Sequence, residues 1–137
     1  AFLFAQLENI DHIQNKRLTI WNHYQKQLSE KLKRTGVKMP VVPEKCCHNA
    51  HIFYLVCHNN KERNELITFL KQKGILAVFH YLPLHLSPFF YNKHDGRPLP
   101  QAVSFAENLI RLPVFFELNE PQQDFIIEKT AKYFEKK

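Results

Sequence analysis

Between Asn49 and Tyr81 the spacing of apolar residues changes twice, which limits the chain to a fold in which strands and helix are layered. In "NAHIFYLVCH", Ile52, Tyr54 and Val56 alternate with His51, Phe53, Leu55 and Cys57. Both faces are largely apolar, so the segment predicts a strand interior to a sheet. In "NNKERNELITFLKQKG" the spacing lengthens to that of a helix. Asn59 and Glu62 stand at capping-box separation, Leu66, Ile67 and Leu70 share a buried face, and Gly74 closes the helix. "ILAVFHY" follows as a second strand, rich in β-branched and aromatic residues, and Pro83 removes the donor that would extend its ladder.

Upstream, Leu3, Leu7, Ile10, Ile13, Ile20, Trp21, Tyr24, Leu28 and Leu32 recur at three-to-four spacing and predict one long amphipathic helix. Lys33 and Arg34 suit its last turn and Gly36 its stop. Its start, "AFLF", carries no capping residue, so the chain reads as cut within a longer helix. "VKMPVVPE" is expected to be a short strand broken by Pro40 and Pro43. Residues 86–100, with three prolines and one glycine, predict a long loop of the kind that is functional or mobile. "QAVSFAENL" predicts a short helix and "IRLPVF" a short strand. "NEPQQDFIIEKTAKYFEKK" predicts a final helix capped by Asn119, with Phe125, Ile126, Tyr133 and Phe134 facing inward. The whole reads as one α/β (α+β) domain with helices on a small, mainly antiparallel sheet.

With 137 residues, 45% hydrophobic and 23% charged, the chain can bury one core. No apolar run is long enough to span a bilayer and "AFLFAQLENI" lacks the basic region and cleavage site of a signal peptide, so a cytoplasmic protein is expected. Three cysteines, two of them adjacent, do not form a disulfide framework. The net charge of +6 is spread along helix faces and not gathered with aromatics, which argues against nucleic acid. Cys46, Cys47, His48 and His51 lie close in sequence, but adjacent cysteines point poorly at one tetrahedral ion, so no metal is expected. Neither Cys47 nor Cys57 has a recognisable electropositive niche to make it a nucleophile. The glycines, Gly36, Gly74 and Gly96, are too widely separated for a phosphate-cradling loop.

"HYLPLH" is the stretch that invites a chemical reading. His80 and Tyr81 end an apolar strand, and a proline bend can return His85 to the same rim. From the residues alone, a satisfied core histidine with solvated neighbours is the favoured explanation of the stretch, ahead of a site.

"AFLFAQLENID", "IQNKRLTIWNHY", "NAHIFYLV", "LITFLKQKGILAVFHYLPLH", "RLPVF" and "QQDFIIEKTAKYF" follow one another over almost the whole chain. In this order they resemble the C-terminal part of the DegT-type nucleotide-sugar aminotransferases, and most closely those that aminate a dTDP-4-keto-6-deoxyhexose. The resemblance implies the small domain of a fold-type I enzyme, with residues 1–35 as the end of a connecting helix and 36–137 as the C-terminal domain. It further implies pyridoxal 5'-phosphate held by a large domain absent from this chain, glutamate as amino donor, a homodimer, and a role in surface polysaccharide synthesis. No lysine of this chain, Lys71 and Lys73 included, matches the cofactor-bearing position, so the chain alone is expected to be inactive. The resemblance also implies that His80 and Tyr81 face the reacting end of the sugar and that His85 and the following loop cover the nucleotide sugar. Arg97 or Lys93 would then meet its diphosphate, and Arg111 is a weaker candidate. The competing expectation is a stand-alone module on the same scaffold that binds a phosphorylated ligand or a protein.

Overall fold

The computed structural model describes residues 2–135. Three short strands form an antiparallel sheet: β1 (Phe53–Val56), β2 (Val78–Phe79) and β3 (Leu109–Leu112), in the order β1-β3-β2. The helices are α1 (Phe2–Glu8), α2 (Ile10–Lys31), α3 (Asn60–Lys71), α4 (Pro100–Asn108) and α5 (Glu120–Glu135), with a 3₁₀ turn at Leu84–Leu86. Among the described residues no helix is long and apolar enough to cross a membrane.

Register decides which side chains meet. Phe53 pairs with Leu112 and Leu55 with Ile110, and all four are buried on the face covered by helices. Tyr54, Arg111 and Val78 stand abreast on the opposite face and are only half-buried. The core joins Tyr24 and Leu28 of α2, Leu66 and Leu70 of α3, and Ile126 and Ile127 of α5 to the strands. The Tyr24 ring stacks on Phe53 at 5.0 Å, and its hydroxyl donates to the Pro113 carbonyl at 3.1 Å. Burial pushes the Tyr24 hydroxyl far above its ordinary pKa, so it stays a donor at any working pH.

The ends of α3 follow the sequence closely. Asn59 Oδ1 accepts from the Glu62 amide at 2.9 Å. At the other end the Ile75 amide reaches the Leu70 carbonyl and the Gly74 amide the Lys71 carbonyl, with Gly74 at φ 77°, which is a Schellman stop.

Elsewhere the expectations need correction. The long helix breaks at Asn9 (φ −109°, ψ 16°), a residue type whose short polar side chain competes with the helical backbone for hydrogen bonds. Of its apolar stripe, Leu3, Leu7 and Ile10 are exposed, and burial begins only around Ile20. The strand expected over 75–81 shrinks to Val78–Phe79, because the α3 stop uses the Ile75 amide. The central strand is β3. β1 has β3 on one side and a single bridge to Lys38 on the other, which is all that remains of the strand expected in "VKMPVVPE". Phe125 is 41% exposed, with the Lys129 ammonium 4.8 Å from its ring centroid, and Ile127 takes the inward position. The 86–100 segment is ordered by successive turns, such as Tyr91 N–H to the Ser87 carbonyl at 2.9 Å and His94 N–H to the Phe90 carbonyl at 3.0 Å.

Candidate functional site

The half-buried sheet face carries an unusual density of polar groups. β3 places Arg111 at its centre, between Tyr54 and Val78, and the chain leaving β2 brings His80 and Tyr81 to the same side. The Arg111 guanidinium lies 5.3 Å from the Tyr81 ring centroid, and the His80 and Tyr81 rings are 5.1 Å apart. Arg111 Nε and His80 Nδ1 are both shut off from solvent and neither makes a hydrogen bond. Two orphaned polar atoms in one small region normally cost stability, which suits a site kept for a ligand.

His51 lies near enough for its charge to bear on His80. Its Nδ1 bonds Asn49 Oδ1 at 2.8 Å, and α2 holds Asn49 through Gln14 Nε2, which donates to the Asn49 carbonyl at 2.7 Å. Between them buried Ala50 adopts a left-handed φ of 49°, a strained conformation for a residue with a side chain. Burial, then the Arg111 charge, then His51 hold the His80 imidazole below its ordinary pKa. His80 is therefore neutral at pH 7, with a ring nitrogen able to accept a proton.

A pH dependence follows from that direction. The unfolded chain takes up a proton at His80 near the ordinary pKa of 6.5, before the folded chain does. The associated stability is present above that pH and lost as pH falls through the folded value. NMR titration should place the His80 midpoint below 6.5; a midpoint at or above it would refute the burial and charge argument.

The remaining candidates lie elsewhere. His85 and Arg97 line a hollow of about 710 Å³ together with Tyr91, His94 and Glu107. In it the His85 and His94 rings are 5.2 Å apart, and exposed Arg97 places Nε 3.4 Å from Asp95 Oδ2. His80 borders a second hollow of about 320 Å³ with Phe79, Asn60 and Arg63, and Leu86, Val103 and Glu107 border both. The structure thus groups His80 and Tyr81 with Arg111, and His85 with Arg97, but does not join the two groups in one cavity. Lys93 Nζ sits 3.6 Å from the Phe89 ring centroid and lines neither hollow. Arg111, the weaker candidate from sequence, holds the central place. His94 was not singled out and His51 was weighed only as a metal ligand, since spacing does not show what a loop histidine meets.

Cys46 and Cys47 are exposed and Cys57 is buried, and His48 rests against the Trp21 ring at 4.3 Å, so these residues do not converge. Neither hollow is lined by a lysine among the described residues, and Lys71 and Lys73 are exposed around the end of α3. The residues here suit polar contacts to a ligand.

A small antiparallel sheet backed by helices superposes on part of solved aminotransferases of sugar metabolism. The chain belongs to the DegT/DnrJ/EryC1/StrS aminotransferase family, whose profile matches residues 1–131. It is 36% identical over 96 residues to the "Pleiotropic regulatory protein" of Geobacillus stearothermophilus, covering 69% of this chain and 26% of that one. It is 28% identical over 138 residues to the dTDP-3-amino-3,4,6-trideoxy-alpha-D-glucose transaminase of Streptomyces venezuelae, covering 99% of this chain and 35% of that one. The "Putative sugar aminotransferase Spr1654" of Streptococcus pneumoniae, solved in a PLP form, superposes with a TM-score of 0.79 at 25% identity, over 97% of this chain and 34% of that chain. The chain therefore matches between 26% and 35% of the length of these relatives.

Proposed function

We propose that the chain is the small lobe of a pyridoxal-phosphate-dependent aminotransferase acting on a nucleotide-linked keto sugar. Residues 1–35 would form the end of a connecting helix and 36–137 the lobe. The observation that carries this reading is the pair of buried, unbonded atoms, Arg111 Nε and His80 Nδ1, on one sheet face of a chain in this family. A dTDP-4-keto-6-deoxy sugar is the substrate, glutamate the donor and a cytoplasmic homodimer the working form, feeding surface polysaccharide synthesis. The dTDP-sugar named for the S. venezuelae relative supports the substrate class.

Pyridoxal phosphate supplies the electron sink and carries the amino group, and its anchoring lysine belongs to a part of the protein outside this chain. By itself the chain does not transaminate. The residues present act on the substrate side. Arg111 Nε–H donates to an oxygen of the sugar ring or its keto group, fixing its orientation. Neutral His80 accepts a hydrogen bond at Nδ1 and can hold a proton there, and Tyr81 O–H covers the outer edge. His85 and Arg97 line the roomier hollow, which suits a nucleoside diphosphate; Arg97 exchanges its Asp95 contact for the phosphate.

In the full-length protein, His80→Ala should lower kcat/KM by roughly 100-fold and leave the melting temperature nearly unchanged. Steady-state kinetics and thermal melts on the same preparations check this. Parallel losses in both would identify a packing histidine and remove the site assignment.

A further inference from the structure

α2 and α5 are locked in register by a buried contact. The Gln123 side-chain Nε2 donates to the Ile20 carbonyl at 2.6 Å, and Gln123 is 3% exposed. Nearly one turn beyond Ile20 stands His23. A turn before Gln123 stands Glu120, and one residue after it Asp124. The start of α5 is set by a reciprocal cap, since Asn119 Oδ1 accepts from the Gln122 amide at 3.0 Å and Gln122 Oε1 accepts from the Asn119 amide at 3.2 Å. This puts the two carboxylates four residues apart on one helix face, opposite the imidazole. One donor atom from each of His23, Glu120 and Asp124 lies within 4.8 Å of the other two. His23 Nε2 and Asp124 Oδ1 are already 2.6 Å apart.

From this geometry we propose that His23, Glu120 and Asp124 bind one first-row divalent cation of the zinc class, tying α2 to α5. Carboxylates four residues apart repel each other, and a cation between them removes that repulsion. Donors sharing an ion at about 2.1 Å lie roughly 3–4 Å from one another. The His23–Asp124 pair opens slightly to reach this spacing, and the exposed Glu120 side chain turns inward. An imidazole with two carboxylates suits zinc, nickel or copper better than magnesium or calcium. Three protein donors leave a position for water. None of the three residues lines either hollow of the candidate substrate site, so this cation is independent of the aminotransferase reading.

The test uses the chain with Cys46 and Cys47, both exposed, replaced by serine so that their thiolates do not compete. Zinc chloride is titrated by calorimetry and the protein is melted with and without it. We expect one equivalent of zinc and a rise in melting temperature of roughly 10 °C at a hundredfold excess over Kd, with no comparable rise in magnesium chloride. Affinity falls at least about tenfold in each of Asp124→Asn, His23→Gln and Glu120→Gln. Melts without metal establish that each variant is folded, and Glu120→Gln leaves the His23–Asp124 contact in place. No binding heat, or an unchanged zinc response in folded His23→Gln and Glu120→Gln, would overturn the site and leave His23–Asp124 as an ion pair only.

Discussion

Phe53→Ala is expected to destabilise the chain by about 3–5 kcal/mol, close to the whole stability of a marginal domain. Phe53 is fully buried, stacks on Tyr24 at 5.0 Å and meets the Trp21 ring edge-on at 5.5 Å. Both partners belong to α2, so the ring is the main apolar bridge between that helix and β1. Its removal leaves a cavity that neither a long helix nor a paired strand can collapse to fill. Chemical denaturation of the two proteins measures the loss. Phe125→Ala supplies the contrast, because Phe125 is 41% exposed and its ring meets the Lys129 ammonium; a change within about 1 kcal/mol is expected there. Comparable losses at both positions would contradict the core assignment.

Arg111→Gln in the full-length protein should lower kcat/KM by about 10- to 100-fold, the loss of one charge-assisted hydrogen bond. Stability should change little, because Arg111 Nε has no hydrogen-bond partner to lose within the chain. The same substitution removes a charge that disfavours protonation of His80, so the His80 midpoint should rise toward its ordinary value. Arg111→Lys separates the two effects. It keeps the charge near His80 but loses the planar fork, so activity falls while the His80 midpoint moves less. Kinetics together with NMR titration of His80 read both. Full activity in Arg111→Gln would exclude substrate contact by this side chain.

Features that depend on near neighbours in sequence were legible beforehand. The Asn59 cap, the Gly74 stop and the Asn119 start of α5 need only residues within a turn of one another, and each stands where its sequence places it. Strand extent was less legible, because a ladder exists only where a partner lies alongside. "ILAVFHY" has strand composition throughout, yet only Val78 and Phe79 pair with β3, since the Ile75 amide is already taken by the α3 stop. The outward turn of Phe125 was hidden for a related reason: helical spacing marks a stripe but not how wide a neighbour covers it.

The "HY" pair was visible as an anomaly, but its companions were not. Arg111 read as the end of a short strand and became central because β3 lies between β1 and β2. His85 and His94 belong to a loop whose contents could be read and whose path could not.

By itself the sequence determined the helix termini, the layered α/β class and the family, since these rest on local spacing and on the order of segments along the chain. Only the tertiary structure decided that Arg111 lies beside His80 and Tyr81 while His85 and Arg97 occupy a separate hollow. Strand register and loop path, which bring residues distant in sequence together, are set by the balance of packing over the whole core.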